Sequence, residues 1–244
     1  PAFFVAGGPG FVLAVCLLFL REPARGRLDA QPAPPSATWR HVLASLRQRP
    51  SFLFNVAAQT IITFSMGGLG AWMPTYFVRE RGLGVAAAGT IFGGLLLAAG
   101  FLGTIVGGQL GDRLSRRFPA AHFSFSACAL IASAPFTVAS LLSPRPGWFW
   151  PAMFVTLLLA FLNTGPLNAA LVNVLPPDLR SRGVGLHTIT IHLLGDALSP
   201  FLIGLVSDRI GLRTPVLITG LLLPLAGMVL LLGRRCLAAD LRAR

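Results

Sequence analysis

Long apolar stretches alternate with short polar breaks along the whole chain of 244 residues. Each stretch contains about 20 residues, the length that an α-helix needs to cross a lipid bilayer. The breaks between them are rich in Gly, Pro and Arg. The pattern predicts seven membrane-spanning helices, with approximate bounds 1–20, 52–78, 88–110, 121–142, 148–175, 184–206 and 214–233.

The composition supports this interpretation. Hydrophobic residues make up 54% of the chain and charged residues 11%, whereas an ordinary soluble domain has about 25% charged residues. We therefore expect an all-α integral membrane protein. All 20 basic residues are arginine. Because lysine is absent, a retinal Schiff base and a Walker-type phosphate loop are both excluded within this chain.

The net charge of +12 would favour a nucleic-acid partner in a soluble protein. Here the arginines lie in the breaks between spans, where they determine topology, so no nucleic-acid partner is expected. If the first break is cytoplasmic, 15 arginines face inward and five outward, the five being Arg79, Arg81, Arg145, Arg209 and Arg213. This asymmetry predicts a cytoplasmic linker and C-terminus, in a bacterial inner membrane.

The spacing of the spans predicts four segments. Residues 1–22 would be the last helix of an N-terminal bundle, 23–50 a cytoplasmic linker, 51–236 a six-helix bundle and 237–244 a cytoplasmic tail. Within the linker, "SATWRHVLASLRQ" is compatible with a short amphipathic helix on the membrane surface. One helix, a basic linker and six further helices are expected when a twelve-helix protein is cut before its sixth helix. The alternative is a seven-helix membrane sensor or assembly subunit that transports nothing.

Two segments of the chain repeat each other. "GQLGDRLSRR" at 108–117 and "GLVSDRIGLR" at 204–213 align without gaps, which pairs Asp112 with Asp208 and Arg113 with Arg209. One segment follows the second of the six helices and the other follows the fifth, so the six helices form two triplets. Because three spans are an odd number, the triplets have opposite orientations, as in the inverted repeats of secondary transporters. Chance is the alternative, since Gly and Asp-Arg are common at helix ends.

These motifs resemble a known family. "GQLGDRLSRR" is similar to the G-x-x-x-D-R-x-G-R-R loop of the major facilitator superfamily, with Ser115 where glycine is usual. "TFSMGGLGAWMPTYFVRERG", "IFGGLLLAAGFLGTIVGG", "PPDLRSRG" and "HLLGDALSPFLIGLVSDRIG" resemble its Spinster-like branch. Together these segments cover most of residues 60–211, and the last of them is the most specific.

The resemblance implies the C-terminal six-helix bundle of a twelve-helix secondary transporter that works by alternating access. It implies a small amphipathic, lipid-like substrate, such as a lysophospholipid or a sphingoid phosphate. It also implies the missing N-terminal six-helix bundle and membrane lipid as partners, and it leaves coupled protons open as a further partner. The acid usually assigned to coupling lies in that missing half. Export of drugs or organic anions on the same fold is the alternative, and no enzymatic activity is expected.

An ionisable pair, His192 and Asp196, interrupts one of the most apolar regions of the chain. Residues four apart on a helix share a face, so Thr188, His192, Asp196 and Ser199 would form one polar stripe. An acid at the bilayer centre costs about 2.5–3.5 kcal/mol on insertion scales, so it should face protein or water. The stripe would bind a polar headgroup or conduct protons. The alternative is a structural pair that joins neighbouring helices.

Two other helices carry neutral polar residues. Asn55, Gln59 and Thr63 are four residues apart, and Asn163, Thr164 and Asn168 surround a proline. We expect Gln59, Thr63, Asn163 and Asn168 to line the same cavity as the ionisable pair. Interhelical hydrogen bonds, worth about 0.6 kcal/mol each in membranes, are an equally good explanation.

Glycines repeat every four residues at Gly103, Gly107 and Gly111, one turn after Ala99. Such a small-residue face predicts close packing against another helix, and a helix of the missing half is one candidate partner.

The family signature implies a gate at the ends of two helices. Its charges would pair in one conformation and separate in the other. A solvated loop that only sets topology is the alternative. The candidate gating residues are Gly108, Asp112, Arg113, Arg116, Arg117, Arg180, Asp208 and Arg209.

The remaining reactive residues predict no further chemistry. Cys16, Cys128 and Cys236 have no metal-ligand spacing. His187 and His192 are five apart on a helix, which directs them away from each other. We therefore expect no metal, no cofactor and no Ser-His-Asp triad, and no role for His41 or His122.

Overall fold

The computed structural model describes residues 2–20, 38–143 and 145–242. It divides into two compact units, Pro1–Ala37 and Thr38–Arg244. In the first unit, helix α1 (Ala2–Leu18) coincides with the first predicted apolar run. The predicted linker lies outside the described residues between positions 23 and 37.

The second unit contains the predicted six spans. Among the described residues, six helical stretches are long and apolar enough to cross a membrane. Three are single helices that follow one another: α3 (Pro50–Arg81), α4 (Val85–Ser115) and α5 (Ala121–Leu142). The next two spans are interrupted, and they consist of α6 (Pro146–Phe161), α7 (Thr164–Val174), α8 (Arg180–Ile191) and α9 (Ser199–Ile210). The last span is α10 (Arg213–Arg242).

Two elements outside the spans refine the predicted layout. The amphipathic helix is present as α2 (Trp39–Arg47), and its buried residues Val42 and Leu46 face a bundle end where α2 packs on α3 and α8. Helix α10 continues to Arg242, so most of the tail predicted from residue 237 is helical. Asp240 accepts a hydrogen bond from the Ser51 amide at 3.0 Å and another from the Ser51 hydroxyl. This contact holds the end of α10 against the start of α3.

The two predicted triplets are interleaved. α10 packs mainly on α3 and α5, α5 packs on α6, α4 packs on α6 and α7, and the α8–α9 span packs on α3. All of these contacts join a helix of one triplet to a helix of the other. Since consecutive spans alternate in direction, the repeated motifs at the ends of α4 and α9 lie at opposite ends of the bundle.

The span predicted at 148–175 is not one continuous helix. It is interrupted at Leu162 and Asn163, between α6 and α7. Pro166 explains the interruption, because proline has no N–H to donate to the Leu162 carbonyl four residues earlier. That carbonyl instead faces Gly107 of α4, where an added Cβ would overlap it.

The span predicted at 184–206 is also interrupted. Residues His192–Asp196 form a π-helical turn, in which the Ala197 amide donates to the His192 carbonyl at 3.0 Å. Pro200 has no N–H for the Asp196 carbonyl, again four residues earlier. The turn packs closely on α3, because a Cβ added to Gly67 would lie 2.8 Å from Asp196 Cα.

The glycine face of α4 packs closely, as predicted, but its partner lies within this chain. A Cβ at Gly103 would lie 2.9 Å from the Leu158 carbonyl oxygen, and one at Gly111 would lie 2.6 Å from Pro166 Cγ. We call this contact between α4 and α6–α7 the α4 seam. The contact of Gly67, Gly68 and Thr63 of α3 with the π-helical turn and the start of α9 is the α3 seam.

The predicted outer end of the bundle has fewer arginines than the inner end, and two of its arginines have a structural role. At the C-terminus of α5, Arg81 Nη2 donates to the Ser140 carbonyl at 3.4 Å, and Arg213 Nη2 donates to the Leu142 carbonyl at 3.4 Å. The last carbonyls of a helix have no partner within it, and cations stabilise that end. Two of the five arginines predicted on the outer side therefore cap a helix.

Candidate functional site

A cleft lies where α3, the α6–α7 break and the π-helical turn meet. Its volume is about 230 Å³. Its polar lining residues are Gln59, Thr63, Asn163, Thr164 and Asp196, and its remaining walls are mostly apolar side chains such as Met66 and Phe161. Both interrupted spans therefore contribute to the cleft at the positions where their helices break.

His192 and Asp196 contact each other beside this cleft. His192 Nδ1 lies 3.0 Å from one Asp196 carboxylate oxygen and 3.2 Å from the other. The side chains remain 58% and 40% exposed, respectively. His192 faces a second, open groove of about 590 Å³, which it lines with Ile189, Leu193 and Ala197. Asp196 lines both hollows, so its carboxylate connects the cleft with the groove.

The predicted polar stripe on this span is only partly correct. Thr188 and His192 are exposed and Asp196 is half-buried, but Ser199 is fully buried. Its hydroxyl lies 3.5 Å from the Asp196 carbonyl oxygen, and its side chain packs near Gly67 and Gly68. The four-residue spacing that places residues on one face assumes a continuous α-helix. The wider π-helical turn breaks that register, so Ser199 points into the α3 seam.

The polar residues of α3 form a chain that leads to the cleft. Asn55 is buried and donates to the Leu167 carbonyl of α7 at 2.9 Å. Gln59 donates to the Asn55 side-chain oxygen at 2.7 Å, and it lines the cleft. Thr63 packs against Gly195, where an added Cβ would lie 2.9 Å from the Thr63 Cβ. Asn55 therefore joins two helices, as the structural alternative predicted, while Gln59 and Thr63 reach the cleft.

The two asparagines of the α6–α7 span differ in position. Asn163 is buried, lines the cleft and donates to the Ala160 carbonyl at the helix break. Asn168 is exposed and donates to the Thr164 carbonyl at 2.8 Å, and it does not line the cleft. The structure thus brings Gln59, Thr63, Asn163 and Asp196 together, and leaves Thr188, Ser199 and Asn168 outside.

The candidate gating residues lie at the two ends of the bundle. Asp112, Arg113, Arg116 and Arg117 are exposed at the end of α4, where the three arginines and two leucines line a cleft of about 440 Å³. Among the described residues, none of these charges forms an ion pair. A Cβ at Gly108 would meet no described atom within 4 Å. Arg180 is half-buried at the start of α8, and Asp208 and Arg209 are exposed at the opposite end.

The sequence did not indicate that two histidines are buried or that two glycines allow helices to pack closely. His122, in the first turn of α5, has a buried Nδ1 without a hydrogen-bond partner, and so does Nε2 of His187. Gly67 and Gly195 allow the π-helical turn to approach α3. Gly67 lies against Asp196 and Gly195 lies against Thr63, and this pairing becomes visible only when the helix packing is known.

Comparison with known proteins identifies the family. Residues 1–195 match the Major Facilitator Superfamily. The chain belongs to this superfamily. The predicted likeness to its Spinster-like branch is confirmed as well. Protein spinster homolog 1 from Homo sapiens is 33% identical over 228 residues, which cover 85% of this chain and 43% of that protein.

A second relative has a named substrate. The sphingosine-1-phosphate transporter SPNS2 from Danio rerio is 29% identical over 210 residues, which cover 80% of this chain and 42% of that protein. The chain thus spans less than half the length of these curated relatives.

A solved structure shares the fold. A bacterial homolog of the human lysosomal transporter Spinster, in an inward-facing and unoccupied conformation, matches with a TM-score of 0.78 at 21% identity. The match covers 98% of this chain and 59% of that chain. The six apolar spans and the superfamily membership make the chain part of an integral membrane protein.

Proposed function

We propose that this chain is the C-terminal six-helix bundle of a secondary transporter, together with the preceding helix and linker. The complete protein would move a small amphipathic substrate, such as a lysophospholipid, by alternating access. The observation that carries the proposal is the cleft at the two helix interruptions. Interrupted helices that line a polar hollow near the bilayer midplane are a recurring form of transporter binding site.

The chemistry of the two hollows suits an amphipathic molecule. The cleft of about 230 Å³ is large enough for a headgroup but not for a lipid chain. The adjoining groove has apolar walls at Ile189 and Leu193, and it continues from Asp196. A headgroup in the cleft would therefore leave its acyl chain along the groove.

The charge in the cleft favours one kind of headgroup. Asp196 contributes the only ionisable side chain among the residues that line the cleft. A carboxylate attracts cations and accepts hydrogen bonds, so a choline trimethylammonium or an ethanolamine ammonium group fits it better than a bare phosphate monoester. The similarity to a sphingosine-1-phosphate transporter supports the lipid-like class, and the carboxylate supports a zwitterionic member of that class.

The least buried spans would face the missing half. Only 17% of the apolar stretch is buried in each of the α4 and α8–α9 spans, against 39–44% in the other four. We place the N-terminal six-helix bundle against these two spans and the gating charges of α4 at the cytoplasmic end. Asp112 and Arg113 would then pair with the other half in one conformation and separate in the other.

Flux of a labelled lysophospholipid tests the proposal. The complete protein is reconstituted into proteoliposomes, with and without a pH gradient, as wild type, Asp196→Asn and the control Glu80→Gln. Glu80 is an exposed acid at the end of α3, away from the cleft. We expect flux that the control retains and that Asp196→Asn lowers about 10- to 100-fold, the usual effect of losing a hydrogen bond to a charged group.

The other outcomes separate the alternatives. Wild-type flux of a hydrophobic drug or an organic anion without lysophospholipid flux would favour the exporter. Folded protein that moves none of these would favour the non-transporting sensor. Undiminished flux in Asp196→Asn would remove Asp196 from the mechanism.

A further inference from the structure

The outward face of α10 carries a row of large apolar side chains. Its members recur at three- and four-residue spacing, which places them on one helix face, and they are all exposed: Ile218, Leu221, Leu225, Met228 and Leu232. The opposite face of α10, with Leu223 and Leu230, is buried in the bundle. Because we place the N-terminal bundle against α4 and the α8–α9 span, the exposed row of α10 is left to contact lipid acyl chains, and Leu232 at its end is 72% exposed.

Two arginines end this row. Arg235 lies three residues after Leu232 and continues the same face, and Arg234 precedes it. Together with Leu231 and Leu232 they line a cleft of about 330 Å³. α10 has 30 residues, so it is about 45 Å long, which exceeds a hydrocarbon core of about 30 Å. Its arginine-bearing end therefore reaches the level of the lipid headgroups.

The charge of these arginines is not compensated by the described residues. No described carboxylate lies within ion-pair distance of Arg234 or Arg235. The next acid along the helix, Asp240, accepts hydrogen bonds from the Ser51 amide and hydroxyl at the start of α3. The cleft therefore combines two guanidinium groups with two leucines, at the end of an apolar row.

We propose that this cleft binds one anionic phospholipid of the membrane. Its phosphate diester lies between the guanidinium groups of Arg234 and Arg235, and one acyl chain follows Leu232 and Met228 along α10. Guanidinium groups bind phosphate oxygens in a bidentate manner, which an ammonium group does not. A zwitterionic lipid fits less well, because its amine adds a third positive charge. The site is separate from the cleft at Asp196 and does not depend on the proposed transport activity.

Native mass spectrometry of the delipidated complete protein tests this site. The protein is titrated with phosphatidylglycerol, with phosphatidylcholine and with soluble glycerol phosphate. The variants are Arg234→Gln/Arg235→Gln, and as a charge-matched control Arg79→Gln/Arg145→Gln, which removes two exposed arginines at the opposite end. We expect one tight phosphatidylglycerol adduct in wild type and control. The Arg234→Gln/Arg235→Gln variant should bind it about 30-fold more weakly, from a factor of roughly five per basic residue near an anionic surface.

Two further variants examine the parts of the site. Leu232→Ser should weaken phosphatidylglycerol binding, because the acyl chain loses its first apolar contact, and glycerol phosphate should not compete with the lipid. Arg234→Lys/Arg235→Lys should bind more weakly than wild type and more tightly than the glutamine variant. The proposal is overturned if the glutamine variant keeps the adduct, if the control loses it equally, or if phosphatidylcholine binds as tightly. Equal competition by glycerol phosphate would also overturn it.

Discussion

The α4 seam and the α3 seam are built in the same way from different residues. In each, a proline leaves a carbonyl four residues earlier without its helical N–H, and that residue packs against a glycine of a neighbouring helix. In the α4 seam the residue is Leu162 opposite Gly107, and in the α3 seam it is Asp196 opposite Gly67. Leu162 contributes its backbone to the contact with Gly107, whereas Asp196 also places a carboxylate in the cleft. Both interruptions border the cleft, through Asn163 and Thr164 in one span and Asp196 in the other, but only the second brings an ionisable side chain into it.

The largest effect is expected in the α4 seam. In Gly107→Ala, the new methyl group would overlap the Leu162 carbonyl, and backbone on both sides would have to move. Overpacking of this kind destabilises by up to about 3 kcal/mol, so the Tm should fall by several degrees. Thermal unfolding of the purified complete protein measures this. Gly108→Ala, which meets no described atom, is the control, and its Tm should stay unchanged or rise. An equal fall in Tm in both variants would contradict the close packing of the α4 seam.

A smaller loss of stability is expected in the α3 seam. Gly67→Ala pushes against Asp196, but the π-helical turn borders open hollows and can move into them. We expect a destabilisation of about 1–2 kcal/mol, with flux reduced at least as much as in Asp196→Asn. The comparison of Tm with lysophospholipid flux checks this. The account of the two seams would be wrong if Gly67→Ala lost stability like Gly107→Ala and kept its flux.

The two prolines provide a matched pair. In Pro200→Ala the new N–H can bond to the Asp196 carbonyl, which straightens the span and turns the carboxylate away from the cleft. Flux should fall about fivefold, equivalent to roughly 1 kcal/mol. In Pro166→Ala the restored bond reaches Leu162, whose neighbours Asn163 and Thr164 line the cleft but carry no charge, so flux should fall by no more than about twofold. The initial flux rates of the two variants are measured at equal protein density. Equal losses of flux in both variants would mean that both helix interruptions are needed for transport.

Part of this architecture could be read from the sequence. The six spans were predictable because apolar runs of bilayer length have few other uses, and the residues Gln59, Thr63, Asn163 and Asp196 were predicted to share a cavity. The interruptions were not predictable, because Pro74, Pro135 and Pro224 lie inside α3, α5 and α10 without breaking them. In this bundle, a proline interrupts its span only at positions where a glycine of another helix leaves room for the displaced backbone. That pairing is a tertiary property.

The smallest effect is expected at Ser199. The sequence predicted this residue in the binding stripe, but the π-helical turn directs it into the α3 seam, where its hydroxyl lies 3.5 Å from the Asp196 carbonyl oxygen. Such a long contact contributes little, so Ser199→Ala should change flux by less than about twofold and stability by less than about 0.5 kcal/mol. A loss of flux comparable to that of Asp196→Asn would return Ser199 to the binding site.

The most direct test is protection of the cleft by its ligand. In the complete protein without other cysteines, Thr164→Cys places a thiol in the cleft, and Ser115→Cys places one at the end of α4. A water-soluble maleimide reports the modification rate of each thiol with and without lysophospholipid. We predict that lysophospholipid slows modification at Thr164→Cys and leaves Ser115→Cys unchanged. Equal rates at Thr164→Cys with and without lysophospholipid, in protein that transports it, would contradict binding at the two helix interruptions.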